Sequence, residues 1–456
     1  MNIVILGAGE LGRYLAICLA KENHNVTIID KDSQKLAKIS SEDDVATLWG
    51  YGAQWEMLDN LIETSPSLFI AMTGNDETNL VACAIAKNLG YPKTICRVKN
   101  LGFLRKTKLD FERLFAIDHF IAAEMLAAHD ILKSIIHPHD LAIQNFAHGA
   151  IQMRTIVVPE TWDKMDIPIA NLDLPHEIII SLIRRKVTTS IIEEKEEEVI
   201  IFPHGHDIIR PFDEITIIGE TNIMRNLSKI FYSPKETVKS VSIVGGSTVA
   251  ANLASILCKM NIQVKIIEKD EKRCKELADS LPNAIIMNHD GTDLSFLLSE
   301  QINNAGAFIS ATSHDDKNLL ISLMAKNAGC KKIVTMIADS NLSSILDDLD
   351  IKFTISEKIN VVNKIFSLIH AESIVSIASL YQDKAKVVEI KISQDSELVG
   401  IPIQDLSKKL PKDMLIAAIE NRGQVMIGKG DRVISPNDTI IIITSPHNLP
   451  VIKELF

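Results

Sequence analysis

The stretch NIVILGAGELGRYLAICLA, Asn2 to Ala20, decides the fold of the first part of this chain. Its opening residues, NIVIL, are a short apolar run rich in β-branched side chains, which is typical of a buried parallel strand. Glycines follow at positions 7, 9 and 12, and the residues after them have the apolar spacing of a helix. The next apolar run, HNVTIID, ends in Asp30, 23 positions after Gly7.

This order of strand, glycine turn, helix, strand and acid indicates a Rossmann domain, because each part has a physical role. Gly7 permits the tight turn, Gly9 lets a pyrophosphate approach the backbone, and Gly12 lets the helix pack closely on the strand. The helix N-terminus offers free N–H groups and a partial positive charge to the phosphates. Asp30 can accept hydrogen bonds from ribose hydroxyls and would repel a 2′-phosphate, which favours NAD or an adenine nucleotide over NADP.

The second half of the chain repeats the first. The stretch SVSIVGGSTVAANLASILCKMNIQVKIIEKD places Gly245, Ser247 and Ala250 at the three glycine positions, and Glu268 follows at the interval of the first acid. Further on, FIAMTGNDETNLVACAIAKNLGYPKTICRV aligns with FISATSHDDKNLLISLMAKNAGCKKIVTMI. The alignment pairs Thr73 with Thr312, Asp76 with Asp315, Asn79 with Asn318 and Lys87 with Lys326. Self-similarity of this length predicts a tandem duplication with two Rossmann domains.

The two copies differ at the positions that would meet phosphate. Ser247 replaces the glycine that allows close approach, Ser313 replaces Gly74, and Met336 stands where the first copy has Arg97. We therefore expect a competent nucleotide site in the first copy and a weakened one in the second.

A smaller β-rich module follows each Rossmann unit. Short alternating strands joined by polar turns begin at about Ile151 and again at about Val387. The predicted fold class is α/β, with two tandem Rossmann-like domains, parallel and doubly wound, each followed by a small α+β domain. The predicted domain boundaries are residues 1–140, 141–234, 235–372 and 373–456.

Composition and charge disfavour several classes of protein. The 456 residues are 46% hydrophobic and 23% charged, which is ordinary for a folded soluble protein, and their number predicts two to four domains. The formal net charge of −11 disfavours nucleic acid and anionic membranes as partners. No basic signal sequence and no apolar run of the ~18–20 residues that a membrane helix needs is found. The six cysteines match no zinc-site spacing, which predicts reduced thiols.

The order Rossmann, β module, Rossmann, β module resembles the tandem architecture of the regulator-of-potassium-conductance (RCK or KTN) family. The stretch TGNDETNLVACAIA is close to the family's T-x-x-D-E-T-N-x-x-A-C segment, and LPKDMLIAAIENRGQVMIGKGDRVISPNDTIIII resembles its C-terminal module. The ending VIKELF is also similar. The resemblance is to the Trk-type potassium-uptake regulatory proteins and extends over essentially the whole chain.

The resemblance implies a non-enzymatic regulatory subunit in the cytoplasm, peripherally attached to the inner face of the cell membrane. It implies that the chain binds NAD(H), or ATP and ADP as the alternative, and gates a potassium-uptake transporter. The implied partner is a membrane potassium-translocating subunit of the TrkH/TrkG type, and four tandem chains would form a homo-tetrameric ring. The two kinds of domain correspond to the RCK-N and RCK-C domains of the family.

The resemblance also implies the residues that contact the nucleotide. In the first copy they are Gly7, Ala8, Gly9, Glu10, Leu11, Gly12, Asp30, Thr73, Gly74 and Arg97. In the second copy they are Gly245, Gly246, Ser247, Thr248, Glu268, Asp290 and Thr312, a set weakened by the three replacements described above.

Arg97 is the candidate for telling ATP from ADP, since a cation near the phosphates would respond to the terminal phosphate. The alternative is an arginine that pairs with an acid such as Asp76.

Two other functions remain open from the residues. An NAD-dependent oxidoreductase would need a proton donor or acceptor near the nicotinamide, commonly His or Lys, yet the histidines of the first β module (His176, His204 and His206) lie in turn-like stretches. A scaffold with inactive sites fits the second copy better than the first. The stretch HPHD, residues 137–140, is the best metal candidate, but a polar linker explains it, and no metal is predicted.

Overall fold

The computed structural model of the chain describes residues 1–39, 43–105, 108–136, 140–188, 196–232, 238–338, 342, 345–346, 349, 351, 353–369, 374–381, 384–394, 396, 398–406, 410–411, 413–428, 431–449 and 451–452. The chain divides into two compact units. The first unit comprises Met1–Ile131 and Ser240–Val362, and the second comprises Leu132–Lys239 and Asn363–Phe456. The first unit therefore contains both Rossmann domains, and the second contains both β-rich modules.

The first Rossmann domain is a six-stranded parallel sheet with helices between its strands. Its strands are β1 Asn2–Leu6, β2 Asn25–Asp30, β3 Val45–Trp49, β4 Leu68–Ala71, β5 Thr94–Arg97 and β6 His119–Ile121. Its helices are α1 Glu10–Lys21, α2 Ser33–Leu36, α3 Trp55–Ile62, α4 Asp76–Leu89, α5 Phe111–Leu114 and α6 Ala123–Ile136. The strand order is β3-β2-β1-β4-β5-β6, so the direction of winding reverses between β1 and β4. Ligands of open α/β sheets bind beyond the carboxyl ends of the strands at such a reversal.

The first β-rich module is a five-stranded antiparallel sheet. Its elements are β7 Asp140–Phe146, β8 Ile151–Val157, β9 Ile178–Thr188, β10 Glu196–Ile201, β11 Glu214–Glu220, α7 Thr221–Met224 and α8 Ser228–Phe231. The strand order is β10-β9-β11-β8-β7. Strand β7 precedes the alternating strands noted from about Ile151, because its sequence, DLAIQNF, mixes polar and apolar residues without a clean alternation.

The second Rossmann domain repeats the first. Its strands are β12 Ser240–Val244, β13 Gln263–Glu268, β14 Ile285–Asn288, β15 Ala307–Ser310, β16 Ile333–Met336 and β17 Phe353–Ile355. Its helices are α9 Thr248–Lys259, α10 Glu271–Ser280, α11 Leu294–Ser299, α12 Asp315–Asn327 and α13 Glu357–Ile369. The strand order, β14-β13-β12-β15-β16-β17, is that of the first domain.

The second β-rich module likewise repeats the first. Its elements are β18 Ile374–Leu380, β19 Ala385–Lys391, α14 Ile403–Leu406, β20 Met414–Asn421, β21 Gln424–Ile427 and β22 Thr439–Thr444, in the order β18-β19-β22-β20-β21. Here too one strand, β18, precedes the alternating strands noted from about Val387. Short 3₁₀ turns complete the description at Leu101–Leu104, Ala147–Gly149, Ile169–Asn171, Ile302–Asn304 and Pro446–Asn448. The predicted fold class, two Rossmann-like domains each followed by a small α+β domain, is confirmed.

Within the second unit, the two β-rich modules share one apolar core. Side chains of both modules, among them Leu182, Ile218, Val387 and Ile443, form a single buried cluster. Polar contacts also join the modules: the backbone N–H of Ala147 donates to the Glu389 carboxylate at 2.6 Å, and the hydroxyls of Thr216 and Tyr381 lie 2.7 Å apart. Burial raises the pKa of Tyr381 to about 12.

No helix among the described residues is long and apolar enough to cross a membrane.

We predict that Phe212→Asn stabilises the first β-rich module. Phe212 has a φ of +64° and an exposed fraction of 67%, while the corresponding residue of the second module is Asn437, with a φ of +67°. The left-handed conformation costs a bulky residue about 1 kcal/mol, and asparagine tolerates it better. We expect a rise of about 0.5–1 kcal/mol in the free energy of unfolding.

Thermal and denaturant unfolding followed by circular dichroism measure this change. The reverse substitution, Asn437→Phe, should lower the free energy of unfolding of the unit that contains the two β-rich modules. An unchanged or lowered stability in Phe212→Asn would mean that the exposed ring makes a stabilising contact.

Candidate nucleotide-binding site

A cavity of about 720 Å³ lies beyond the carboxyl ends of the central strands of the first Rossmann domain. The residues that line it are Leu6, Gly7, Gly9, Glu10, Leu11, Asp30, Lys31, Lys35, Gly50, Tyr51, Gly52, Ala53, Met72, Thr73, Gly74, Asn75, Thr78, Arg97, Ala338, Glu357 and Lys358. Eight of the ten residues predicted for the first copy are therefore in its wall. Ala8 and Gly12 lie behind this wall, in the turn that supports it.

The three glycines of the turn have different structural roles. Gly7 has a φ of +107°, and a Cβ atom there would lie 3.0 Å from the backbone of Met72. At Gly12 a Cβ atom would lie 1.9 Å from the carbonyl oxygen of Gly7, so only glycine lets α1 begin this close to β1. Gly9 has an ordinary φ of −65°, and a Cβ atom there would meet nothing within 4 Å. The fold therefore requires Gly7 and Gly12 but not Gly9, whose missing side chain leaves open space at the N-terminus of α1.

Asp30 is fixed by the backbone around it. One carboxylate oxygen accepts the N–H of Ala8 at 2.7 Å, the other accepts the N–H of Asp32 at 2.9 Å, and the side chain is buried. The acid thus ties the end of β2 to the glycine turn. Each carboxylate oxygen can accept more than one hydrogen bond, so Asp30 keeps acceptor capacity for a ligand in the cavity.

Buried Asn79 positions two of the predicted residues. Its Oδ1 accepts the N–H of Thr73 at 3.0 Å and the hydroxyl of Thr73 at 2.6 Å, and its amide donates to the carbonyl oxygens of Thr73 and Arg97. The Asn75 side chain caps α4 through the N–H of Thr78 at 2.7 Å. The T-x-x-D-E-T-N segment therefore joins the ends of β4 and β5 to the start of α4, and Asn318 does the same for Thr312 and Met336 in the second copy.

Arg97 is held by two carboxylates, and neither is the acid that the sequence suggested. Its guanidinium lies 2.9 Å from Glu124 and 3.3 Å from Glu357. The alternative of an arginine paired with an acid is therefore what the structure shows, with Glu124 and Glu357 in place of the example, Asp76. The Asp76 carboxylate instead accepts the N–H groups of Lys99 and Asn100 after β5. Among the described residues, the buried Nε of Arg97 has no hydrogen-bond partner.

Glu357 comes from the second Rossmann domain and faces a charged environment. Burial raises the pKa of its carboxyl above the ordinary value, and the neighbouring Glu124 carboxylate adds to this rise, while Arg97, Lys99 and Lys358 oppose it. Two carboxylates thus compete for one guanidinium at the wall of the cavity. An anionic ligand that reached Arg97 would compete with Glu357 for the same donors.

The second Rossmann domain completes the first cavity. Ala338, Glu357 and Lys358 lie in its wall, and the Lys358 ammonium is 3.2 Å from the carboxylate of Glu10, at the start of α1. The Glu10 side chain is 81% exposed, so this contact contributes little to stability. Its consequence is positional, because residues of the second domain lie beside the helix N-terminus of the first.

Several residues of this cavity carry no signature in the sequence. Glu357 and Lys358 are more than 250 positions from Arg97 along the chain, and no local motif marks them. The duplication is one signal that could have found them. The strand registers make Glu357 and Lys358 equivalent in the repeat to Ala123 and Glu124 of the first copy. Lys31, Lys35 and Tyr51 carry no glycine or acid signature and were also missed.

The second Rossmann domain has a smaller cavity, of about 320 Å³, in the corresponding place. Of the residues predicted for it, Gly245, Gly246, Ser247, Glu268, Asp290 and Thr312 line the wall, while Thr248 does not. Ser247 accepts the N–H of Ala250 at 3.2 Å and so caps α9 with its own hydroxyl. Arg273, at the position of Lys35, donates to the carbonyl oxygen of Gly246 at 2.7 Å. The Ser247 hydroxyl therefore occupies one of the N–H groups at the start of α9 that a phosphate could use, while Arg273 lies across the turn.

Among the described residues, no group of three or more His, Cys, Asp and Glu side chains could hold a metal ion. His137 and His139 of the HPHD stretch lie outside the described residues.

Known families and proteins match the chain along its length. The TrkA-N domain family matches residues 3–116 and 241–357, and the TrkA-C domain family matches residues 387–456. The Trk system potassium uptake protein TrkA homolog 1 of Methanosarcina mazei is 30% identical over 464 aligned positions, which cover 100% of both chains. The Trk system potassium uptake protein TrkA of Haemophilus influenzae is 28% identical, with 100% of this chain and 98% of that protein covered.

Solved structures are similar to the chain in fold. The GsuK RCK domain gives a TM-score of 0.62 at 15% identity, covering 100% of this chain and 94% of that one. The GsuK channel bound to NAD gives 0.63 at 15% identity, covering 100% and 78%. GsuK bound to ADP gives 0.51 at 13% identity, covering 81% and 69%. At these identities the similarity shows a shared tandem RCK fold.

The different roles of the glycines lead to a stability prediction. We expect Gly12→Ala to lower the free energy of unfolding of the first domain by about 1–3 kcal/mol, because its methyl group would overlap the carbonyl oxygen of Gly7. Gly9→Ser should leave stability unchanged or slightly raised, since Ser247 already occupies the same backbone conformation and caps its helix.

Thermal unfolding of the two variants, compared with the unmodified chain, measures the difference. Equal destabilisation by both substitutions would contradict the assignment of Gly9 as a residue that the fold does not require.

Proposed function

This chain belongs to the TrkA family of potassium-uptake proteins, and from this premise we propose that it is a nucleotide-binding regulatory subunit that gates a membrane potassium-uptake transporter. The ligand of the first cavity is NAD(H), with ATP and ADP as the alternative. The observation that carries the proposal is the completion of this cavity by Glu357 and Lys358 of the other Rossmann domain. A site built from two domains makes their arrangement depend on what the site contains.

The proposed contacts of the nucleotide follow the strand ends. The phosphates lie at Gly9, Glu10 and Leu11, where the helix N-terminus offers free N–H groups, with Gly7, Ala8 and Gly12 shaping the turn. The ribose meets Asp30. Thr73, Gly74 and Arg97 take the far end of the ligand, so that Arg97 distinguishes a terminal phosphate from its absence.

Binding would be coupled to the second domain through charge. Phosphate oxygens that take the donors of Arg97 displace Glu357, and negative charge near Glu10 draws Lys358 closer. A ligand shifts a conformational equilibrium only by its difference in affinity for the two states. Contacts to residues of two domains are the source of such a difference here.

The second cavity plays a lesser part in this proposal. Ser247 caps its own helix, Arg273 lies across the turn, and the cavity is less than half as large as the first, so we expect one tightly bound nucleotide per chain. The contacts predicted for the second copy stay a prediction.

The remaining parts of the proposal concern assembly. The partner is a potassium-translocating membrane subunit of the TrkH/TrkG type, and the chain lies at the cytoplasmic face of the membrane through that partner, without inserting into the membrane and without nucleic acid. Four chains form the ring. The chain is not an enzyme, and an NAD-dependent oxidoreductase is the alternative. Catalytic turnover of NADH with any added carbonyl substrate would favour that alternative.

Calorimetric titration with NADH, NAD, ATP and ADP tests the nucleotide site. We expect one nucleotide per chain and at least a tenfold loss of affinity in Gly9→Ser, because the serine side chain fills the space through which phosphate approaches. The matched control is Ser247→Gly in the second copy, which should leave the affinity of the first cavity unchanged, because Ser247 lines only the second cavity. Two nucleotides per chain would contradict the expected asymmetry, and unchanged binding by Gly9→Ser would remove the first cavity from the site.

The gating part of the proposal is tested with the same variants. Potassium flux through the translocating subunit in vesicles should respond to nucleotide when the unmodified chain or Ser247→Gly is added, and should lose the response with Gly9→Ser. A flux that ignores both chain and nucleotide would refute the regulatory function while leaving nucleotide binding intact.

A further prediction concerns the effect of pH on the role of Glu357. In buffer free of divalent cations, Glu357→Gln should bind ATP several-fold more tightly at about pH 8, because it removes a negative charge beside Arg97. The pKa of Glu357 is raised, so protonation removes the same charge from the unmodified chain as pH falls. The ratio of the two affinities should therefore approach one in acid.

Titrations of both proteins at several pH values measure this ratio. The ionisation of ATP affects both affinities equally and therefore does not change the ratio. The ion pair between Glu124 and Arg97 is present in both proteins, so it contributes equally to the two affinities. A ratio that does not change with pH would mean that Glu357 does not oppose phosphate binding.

A further inference from the structure

Two aromatic side chains stand exposed where β3 ends at the first cavity. Trp49 is 59% exposed and Tyr51 is 55% exposed, and Tyr51 lines the cavity wall. Their rings meet edge to face, with centroids 5.9 Å apart and an angle of 76° between the planes. The indole N–H of Trp49 donates to the carbonyl oxygen of Lys31 at 3.0 Å, which fixes the ring against the chain that follows β2. Tyr51 therefore has one edge supported while much of its surface stays open.

The second copy closes the same place with polar groups. Strand register pairs Asp30 with Trp49 and Glu268 with Asn288, so Asn288 and Asp290 occupy the positions of the two aromatics. The Asn288 amide donates to the carbonyl oxygens of Glu268 and Lys269 at 3.0 Å, and Asp290 accepts the N–H and hydroxyl of Thr292. Both polar side chains thus have hydrogen-bond partners within the second copy. The exposed rings are a feature of the first copy alone and are not needed to build the fold.

The position of Tyr51 follows from the strand order. Along the sheet from β5 through β4, β1 and β2 to β3, the cavity wall presents Arg97, Thr73, the glycine turn, Asp30 and then Tyr51. Neighbouring strands lie about 4.8 Å apart, so the turn at β1 and the end of β3 are separated by roughly 10 Å. The wall thus offers groups for anions, then an acceptor for hydroxyls, then an apolar ring, which is the order phosphate, ribose, base.

The cavity wall next to Tyr51 is made of small residues. Gly50, Gly52 and Ala53 line it beside Tyr51, and a Cβ atom on Gly52 would lie 2.4 Å from the Leu6 side chain. The backbone there is packed so closely on β1 that residue 51 supplies the large side chain facing the cavity. An apolar ring exposed in this way gains free energy when a flat partner covers it.

We propose that Tyr51, supported by Trp49, stacks on the base of the bound nucleotide and sets the preference for a purine. This rests on the proposed function, since it assigns one end of the same site. Stacking depends on the area of the two π-faces rather than on hydrogen-bond pattern, so the larger adenine ring gains more than a pyrimidine. The second copy, with Asp290 at this position, offers no such surface.

The test measures binding to the full chain with two ligand pairs: ATP against UTP, and NADH against reduced nicotinamide mononucleotide, which lacks the adenosine half. Tyr51→Ala should weaken ATP and NADH about tenfold or more while changing UTP and the mononucleotide much less. Tyr51→Phe should keep both affinity and discrimination, because it keeps the ring. ATP or NADH should also change the tryptophan fluorescence, and Trp49→Phe should remove that change.

The matched control is Trp55→Ala, which removes another half-exposed aromatic from the same region but not from the cavity wall. It should leave both affinities unchanged. If the unmodified chain binds ATP or NADH and Tyr51→Ala binds them equally well, the stacking role is overturned and the proposed function stands. Equal weakening of both members of each ligand pair would mean that Tyr51 only maintains the shape of the site. That result would also overturn the stacking role. If no nucleotide binds the unmodified chain, the proposed function fails and this inference fails with it.

Discussion

The first helix of the chain begins so close to the first strand that one methyl group on Gly12 would lie 1.9 Å from the carbonyl oxygen of Gly7. This close approach brings the free N–H groups of α1 to the carboxyl edge of the sheet. Asp30 then fastens the turn by accepting the N–H of Ala8, and the space left by Gly9 opens at the same point. The large cavity exists because these three backbone constraints leave an unfilled helix N-terminus facing a reversal in strand order.

Duplication gave the chain two such turns, and the side chains around them have diverged in opposite directions. In the second copy, Ser247 caps its own helix and Arg273 reaches back to the carbonyl oxygen of Gly246, so the polar groups of the turn are satisfied from within. In the first copy the corresponding groups face a cavity more than twice as large. The same backbone thus supports a larger and a smaller cavity, according to the side chains that surround the turn.

Charge connects the open site to the second domain. Arg97 is shared by Glu124 from its own domain and Glu357 from the other. Burial raises the pKa of Glu357, and the neighbouring Glu124 carboxylate adds to this rise. The contact between Arg97 and Glu357 joins the two domains at the wall of the first cavity. In the proposed function, an anionic ligand that competes for Arg97 would therefore affect residues of the second domain.

The two Rossmann domains, the duplication and eight of the residues that line the first cavity could be predicted from the sequence. Glycine spacing, apolar runs and a terminal acid act through local backbone geometry, which is why they are visible there. The sequence also predicted that the second nucleotide site is weaker, because Ser247 replaces the equivalent of Gly9. Only the tertiary structure decided the partners of Arg97, the contribution of Glu357 and Lys358, and the exposed ring of Tyr51. These depend on which side chains meet across distant parts of the chain, and charge pairing and burial at such places are set by packing rather than by local sequence pattern.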